Sequence, residues 1–189
     1  MDLQSPEALG EIQQTLLKQD AFLLGARNED PSDLARAALV TASGEQPGCP
    51  AAAVLNGITR STRRDLHPAL PDSNNQWVSD GLPAWIELRW PSKKRFSEVR
   101  LTFDTGFQRE LTLTMSELYN RKMLRGPQPE TIADYRLVWD NGSLQVRGNY
   151  QRLRVHRLPQ PAVSGRLRVE ILKTNGDPYA RLFEIRVYP

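Results

Sequence analysis

The sequence predicts a mainly β protein, an antiparallel β-sandwich preceded by a short helical segment. After residue 45, apolar side chains repeatedly alternate with polar ones over short stretches, which is the pattern of half-buried strands. Tight-turn signals separate some of these stretches, as at Asp140, Asn141 and Gly142. The segments between the stretches leave no room for the helices that a parallel α/β sheet requires.

The first element is a predicted helix over residues 6–24. Ser5 is a favourable N-cap, Pro6 suits the first helical position, and Glu7 places an acid in the first turn. A second, short helix is predicted over residues 31–38. The glycine- and proline-rich stretch at residues 43–50 then separates a helical segment, residues 1–44, from the sandwich, residues 45–189.

Each predicted strand turns every second side chain toward the core. The inward series are Ile86, Leu88 and Trp90; Val99, Leu101 and Phe103; Leu111, Leu113 and Met115; Tyr135, Leu137 and Trp139; Leu144 and Val146; Leu153 and Val155; Leu167, Val169 and Ile171; and Phe183, Ile185 and Val187. Trp85 has the opposite phase to Ile86 and is predicted to face outward or into the loop end. His156 shares the polar phase of Arg152 and Arg154, which predicts a surface histidine.

Composition argues against most enzyme classes that are recognised by short sequence motifs. Among 189 residues, Cys49 is the one cysteine, and there are two histidines. These numbers exclude an internal disulfide framework and a zinc site built on several thiolates. The glycine patterns of dinucleotide and phosphate-binding loops are also missing from the sequence. A binding domain is therefore favoured over a catalyst.

The charge is unevenly distributed along the chain. Residues 1–55 carry a net charge of −5, and the remainder carries +8. Twenty of the 25 basic residues are arginines, which favour planar contacts with carboxylates, sulfates, phosphates or hydroxyl pairs. Because the basic residues are spread along alternating strands, nucleic-acid binding is the weakest of the functions considered. The acidic N-terminus lacks the features of a secretory signal, and no apolar run has the length of a membrane helix.

Three groups of segments resemble one known family. They are residues 53–60 (AVLNGITR) with 75–80 (NQWVSD) and 83–88 (PAWIEL), then residues 99–105 (VRLTFDT), and finally residues 180–188 (ARLFEIRVY). Their order and spacing resemble the discoidin, or coagulation-factor type C, family of galactose-binding-like jelly rolls. The match covers roughly residues 45–189. Residues 149–156 (NYQRLRVH) also look similar to the C-terminal domain of bacterial FAD-dependent oxidoreductases linked to polysaccharide use.

The resemblance implies an eight-stranded jelly roll that binds ligands, often sugars or anionic polymers, with loops at one end. It also implies an extracytoplasmic location, and it places any flavin or nicotinamide chemistry outside this chain. Many family members hold a structural calcium ion, and the corresponding positions here are Asn56 and Glu184. Asn56 stands where the family has aspartate, which removes one negative charge from the calcium ligands and weakens binding.

Apart from Trp85, which lies in a predicted strand, the candidate ligand residues lie in two segments that are poor in strand signals, residues 59–76 and residues 148–152. Long loops in compact domains are often functional, and guanidinium, imidazole and amide groups suit sugar hydroxyls. An aromatic wall would stack on the apolar face of the sugar. The predicted ligand residues are Arg60, Arg63, Arg64, His67, Asn74, Trp85, Asn149, Tyr150 and Arg152.

The sequence thus predicts a non-catalytic carbohydrate-binding module that serves as an accessory domain, with an oligosaccharide or polysaccharide as its partner. The alternative is a protein-interaction domain that docks on a partner enzyme through the apolar stripe of the first helix. Either domain could belong to a larger enzyme as its C-terminal part.

Overall fold

The computed structural model describes residues 28–60, 74–106 and 115–189. The predicted helix over residues 6–24 lies outside these ranges, and so do Leu111 and Leu113 of one predicted strand. The strands are β1 Leu39–Ala42, β2 Trp77–Val78, β3 Ala84–Phe103, β4 Ile132–Trp139, β5 Gly142–Val146, β6 Leu153–Thr174 and β7 Arg181–Tyr188. Two 3-10 helices, Leu34–Ala37 and Ala51–Leu55, and one α-helix, α1 Glu117–Lys122, complete the described elements.

The described strands confirm the predicted antiparallel β architecture. They form one seven-stranded sheet in which β3 and β6 pair along most of their length. The first half of β3 and the last half of β6 lie between β1 on one side and β4 and β5 on the other. The remaining halves of β3 and β6 continue with β7 and β2. The two long strands therefore belong to both layers of a sandwich.

The two layers enclose one hydrophobic core. Ile86 and Leu88 come from the layer of β1, β4 and β5, and Val99 and Leu101 come from the layer of β7, and all four are fully buried in the same cluster. The ring of Tyr135 on β4 lies 5.3 Å from the ring of Phe103 at the end of β3, measured between centroids. Burial of such side chains stabilises each by about 1.5–3 kcal/mol.

The predicted strands at residues 86–90 and 99–103 are parts of a single strand, β3. The pairing of β3 with β6 shifts in register between Arg89 and Lys94 and again between Phe96 and Glu98. Pro91 lies in the first of these intervals and cannot donate a backbone hydrogen bond to a neighbouring strand. The chain bends between the layers there without leaving the extended conformation. The predicted strands at residues 153–155 and 167–171 are likewise parts of β6.

The predicted orientation of the first residues of β6 is wrong. His156 is 5% exposed, whereas Leu153 and Val155 are 54% and 43% exposed. His156 pairs with Val99 in the register of β3 and β6, and directly opposite residues point to the same side of a sheet. Because Val99 belongs to the core, His156 lies on the core side too, where its Nε2 is 2.9 Å from the Tyr135 hydroxyl.

The sandwich includes residues that precede residue 45. β1 pairs with β3 over four residues, from Leu39 opposite Arg89 to Ala42 opposite Ile86. In place of the predicted helix over residues 31–38, one 3-10 turn begins after Asp33, whose carboxylate accepts a hydrogen bond from Ala35 N at 2.9 Å. Within the described ranges, none of the helices has the length and apolarity needed to cross a bilayer.

Candidate functional site

Two of the predicted binding segments meet at Arg152. Its guanidinium donates hydrogen bonds to the carbonyl oxygens of Thr59 and, at 3.3 Å, of Phe103. The guanidinium carbon also lies 5.1 Å from the centre of the Phe183 ring, which occupies a bulge in β7. These contacts hold the loop at residues 56–60 against the start of β6. The structure therefore brings together chain segments that are more than 90 residues apart.

The loop at residues 56–60 is held in place from its other side by asparagines. Asn75 adopts a left-handed backbone conformation with φ of 50°, and its Nδ2 donates to the Arg60 carbonyl oxygen at 3.1 Å. Asn56 Nδ2 donates to Asn75 Oδ1 at 3.1 Å. Arg60 itself is exposed beside this network, and so is Asn74, whose amide lies 3.2 Å from the Cys49 sulfur. The predicted ligand residues Arg63, Arg64 and His67 lie outside the described residues.

Asn149 and Tyr150 have opposite environments although they are adjacent. Asn149 is buried, donates to the Ile132 carbonyl oxygen at 2.8 Å and accepts from Gln151 N at 3.1 Å. Its side chain is therefore part of the loop's own structure rather than of the accessible surface. Tyr150 is 63% exposed, two residues before Arg152. An exposed aromatic ring on an anchored loop can stack on a ligand at a low cost in conformational entropy.

Trp85 faces outward, as its phase predicts, but it lies on the layer of β1, β4 and β5. Its ring is covered by Arg168 of β6, whose guanidinium carbon is 4.2 Å from the ring centre. Arg152 and Phe103, in contrast, lie where β3 ends. Trp85 therefore lies on a different layer of the sandwich from Arg152.

A surface depression of about 410 Å³ lies on the outer face of the layer of β7. Its volume falls within the range of about 300–1,000 Å³ that is usual for small-ligand pockets. We call it the arginine depression, and it is lined by Thr59, Arg100, Thr102, Arg152, Leu153, Glu184 and Arg186. Adjacent strands supply its floor, since Thr102 pairs with both Leu153 of β6 and Glu184 of β7.

Ion pairs orient two of the guanidinium groups in the arginine depression. Arg100 is 2.6 Å from Glu98, and Arg186 is 2.7 Å from Glu184. The hydrogen bond from Arg100 holds the pKa of Glu98 below its usual range, and the bond with Glu184 raises the pKa of Arg186. Burial lowers the pKa of Arg152, and the nearby Asp104 carboxylate opposes that shift. Arg152 and Arg186 both stay charged at neutral pH.

The positions that the family resemblance links to calcium are occupied by other contacts. Asn56 Oδ1 accepts a hydrogen bond from Ile58 N at 2.7 Å, and its amide nitrogen donates to Asn75. Glu184 is bonded to Arg186, a cation that would repel a second one. In the described part of the chain, no three His, Cys, Asp or Glu side chains come together as they would around a metal ion. Calcium binding at Asn56 and Glu184 stays a prediction.

Sequence reasoning missed Arg100, Thr102, Leu153 and Arg186 as site residues. Their alternation identified them as outward-facing or, for Leu153, as core. It did not reveal that β3, β6 and β7 are neighbours with Arg100 opposite Arg186. The available signal was the matching polar series at residues 98–102 and 184–188, with the same spacing of glutamate and arginine, Glu98 with Arg100 and Glu184 with Arg186.

No protein-family model matches the chain, and no curated protein matches it in sequence. Solved structures nevertheless superimpose on most of it. The carbohydrate-binding module of Streptococcus pneumoniae EndoD is 17% identical, with a TM-score of 0.59 over 83% of this chain and 99% of that one. The module of Clostridium perfringens NanJ, solved with galactose, is 15% identical, with a TM-score of 0.56 over 84% and 98%. The fold of the present chain is that of the family 32 carbohydrate-binding modules.

A third similar structure is chitosan-binding module 1 of a Paenibacillus chitosanase/glucanase. It is 17% identical, with a TM-score of 0.57 over 83% of this chain and 98% of that one. The predicted galactose-binding-like jelly roll is thus confirmed as a fold. The narrower resemblance to the C-terminal domain of FAD-dependent oxidoreductases has no counterpart among these structures and stays a prediction.

Proposed function

We propose that this chain is a non-catalytic carbohydrate-binding module that holds a glycan in the arginine depression. The observation that carries the proposal is the convergence of guanidinium, hydroxyl, carboxylate and apolar groups from three adjacent strands beside an anchored loop. The family 32 fold supports the same class of ligand, since structures with this fold bind galactose and chitosan.

The lining of the depression matches the chemistry of a sugar. Each sugar hydroxyl can both donate and accept, so it pairs with the N–H groups of Arg100 and with the oxygens of Thr102 and Glu184. The exposed side chain of Leu153 offers an apolar surface for the C–H face of the ring. Tyr150 is exposed two residues before Arg152, and we expect its aromatic ring to stack on a glycan held in the depression.

The carboxylates of the described lining support the proposal of binding without catalysis. Glycoside hydrolysis generally requires two carboxylic groups that flank the scissile bond. Among the described residues that line the depression, Glu184 is the one carboxylate, and it is bonded to Arg186 and lies 3.4 Å from the Thr102 hydroxyl. A monovalent glycan contact at such an open surface is weak and gains from attachment to an enzyme through effective concentration. A larger enzyme is therefore the proposed context of the module.

The first test combines a glycan array with titration calorimetry of the positive glycans. Tyr150→Ala should weaken binding about tenfold, since stacking and apolar contact of this kind contribute about 0.5–1.5 kcal/mol. Tyr119→Ala is the matched control, because Tyr119 on α1 is similarly exposed, at 58% against 63% for Tyr150. An absence of binding to every neutral and acidic glycan, or equal losses in both variants, would refute the proposed site.

A further inference from the structure

We propose that the arginine depression selects an acidic sugar, a glycan unit that carries a carboxylate. This inference rests on the proposed function and narrows its ligand class. The depression would bind the carboxylate of a uronic or sialic acid, with the ring hydroxyls as secondary contacts.

The arrangement of charges on β3 and β7 points to an anionic ligand. Arg100 and Arg186 lie directly opposite each other in the register of these two strands. Like charges in this position destabilise a sheet, so an anion placed between them would be stabilised by both. Arg152 adds a third guanidinium to the same lining, and Glu184 alone among the described lining residues opposes them. Among the lining side chains themselves, positive charge therefore exceeds negative charge, and Glu98 and Asp104 lie just outside the lining beside Arg100 and Arg152.

The guanidinium groups are held in position before a ligand arrives. Glu98 and Glu184 orient Arg100 and Arg186 through the ion pairs described above. The guanidinium carbon of Arg100 also lies 4.4 Å from the centre of the Tyr188 ring. Side chains that are already ordered lose little conformational entropy on binding, which increases affinity. Burial lowers the pKa of Arg152, so an anion beside it would offset part of the cost of burying this charge.

The balance of hydrogen-bond donors and acceptors separates a carboxylate from a neutral sugar. Guanidinium groups donate and never accept, whereas each hydroxyl of a neutral sugar brings a donor that a guanidinium cannot use along with its acceptors. An ionised carboxylate accepts only, and it matches a guanidinium through two parallel hydrogen bonds. A lining with three guanidinium groups and one carboxylate is therefore better matched by an acidic sugar than by a neutral one.

Arginines on the opposite layer do not form a second site of this kind. Arg89 and Arg168 both bond to the buried Glu87, and Arg136 bonds to Glu170 at 2.6 Å. Their charges are balanced by carboxylates of their own strands or of neighbouring ones. Arg100 and Arg186 are paired with carboxylates too, so the depression differs from these arginines in that three guanidinium groups line one cavity.

The test compares each acidic oligosaccharide with its methyl ester. Oligomers of galacturonate, glucuronate and mannuronate, together with sialyllactose, are titrated by calorimetry in the acid and the ester form. Esterification removes the charge and keeps the ring, so at least one acid should bind about tenfold more tightly than its ester. This comparison uses the unaltered protein and does not depend on the folding of any variant.

Two arginines that flank one glutamate provide matched variants. Glu98 bonds to Arg100 and, at 3.2 Å, to Arg157, which is 84% exposed and does not line the depression. Arg100→Gln should abolish the preference for acid over ester, while Arg157→Gln should retain it. Each substitution removes one charge and leaves Glu98 one arginine partner.

The outcomes separate this inference from the proposed function. Equal binding of acid and ester overturns the acidic selectivity and leaves glycan binding standing. Equal losses in Arg100→Gln and Arg157→Gln would show that overall charge, and not the depression, attracts the acid, which also overturns it. If no sugar binds, neutral ones included, both the acidic selectivity and the proposed glycan binding are refuted.

Discussion

Inside the sandwich, Tyr135 and His156 form a buried polar pair. The Tyr135 hydroxyl lies 2.9 Å from His156 Nε2, and their rings meet edge to face at 5.7 Å between centroids. Each buried polar atom needs a partner, and this bond supplies one to both side chains. Burial lowers the pKa of His156 to about 4 and raises the pKa of the Tyr135 hydroxyl, so both groups are neutral at pH 7.

The pair should make folding stability depend on pH between 6.5 and 4. The unfolded chain has an ordinary histidine pKa near 6.5, and the folded chain has about 4, so protons bind the unfolded state first. Stability from this group is therefore complete above pH 6.5 and falls as the pH drops toward 4, by about 3 kcal/mol. Urea unfolding at a series of pH values measures this loss of stability.

His156→Gln provides the comparison, because glutamine does not titrate and keeps a polar group near Tyr135. The difference in unfolding free energy between the two proteins should shrink steadily from pH 7 to pH 4. A difference that stays constant over this range would contradict the inward placement of His156 as an uncharged group.

At the scale of the strands, β3 and β6 share a buried carboxylate on the outer face of the β1, β4 and β5 layer. Glu87 is 1% exposed and bonds to Arg89 of its own strand and to Arg168 of β6 at 2.7 Å. Burial raises the pKa of Glu87, and the hydrogen bonds from Arg168 and Arg89 outweigh this effect and lower it. Arg168 in turn covers the ring of Trp85. Glu87 thus links the two long strands and positions the arginine over the tryptophan.

Glu87→Gln should destabilise the protein by about 2 kcal/mol. The change removes the one carboxylate shared by these arginines, and breaking a buried ion pair is costly because the remaining charges lose their partner. Glu170→Gln is the control, since Glu170 and Arg136 form a partly exposed pair, worth less than about 1 kcal/mol. Chemical denaturation of both variants tests this ranking, and equal losses would contradict it.

At the scale of the whole molecule, Asp33 joins the beginning of the described chain to its last strand. Its carboxylate accepts hydrogen bonds from Ala35 N and Val187 N, each at 2.9 Å, and from the side-chain amide of Asn28. Asp33 is buried, and its partners are separated by more than 150 residues. Residues before the predicted boundary at 45 therefore help to close the sandwich.

Asp33→Ala should cost about 2–3 kcal/mol, because it leaves buried amide groups without acceptors. The amide proton of Val187 should also exchange with solvent faster than in the unaltered protein. Glu29→Ala is the control, since Glu29 is an exposed carboxylate in the same segment. Unfolding measurements and hydrogen exchange detect these effects, and an unchanged Val187 exchange rate would argue against the connection.

The sequence by itself determined the class of fold and much of the core. Period-two alternation identifies residues such as Ile86, Leu101 and Val169, because a half-buried strand must place every second side chain inside. The Asp140–Asn141 turn was equally readable, since it joins β4 and β5 with Trp139 opposite Gly142. Both signals are local and need no knowledge of which strands are neighbours.

Tertiary structure alone decided which strands meet and which phase faces inward. His156 is buried because the register places it opposite Val99, although its neighbours in the sequence favoured the reverse orientation. Arg100 and Arg186 are neighbours for the same reason. Arg152 donates a hydrogen bond to the Thr59 carbonyl oxygen, and both of these residues line the same depression as Arg100 and Arg186. Strand pairing is a contact between distant residues, and the alternation within a strand carries no information about its partner.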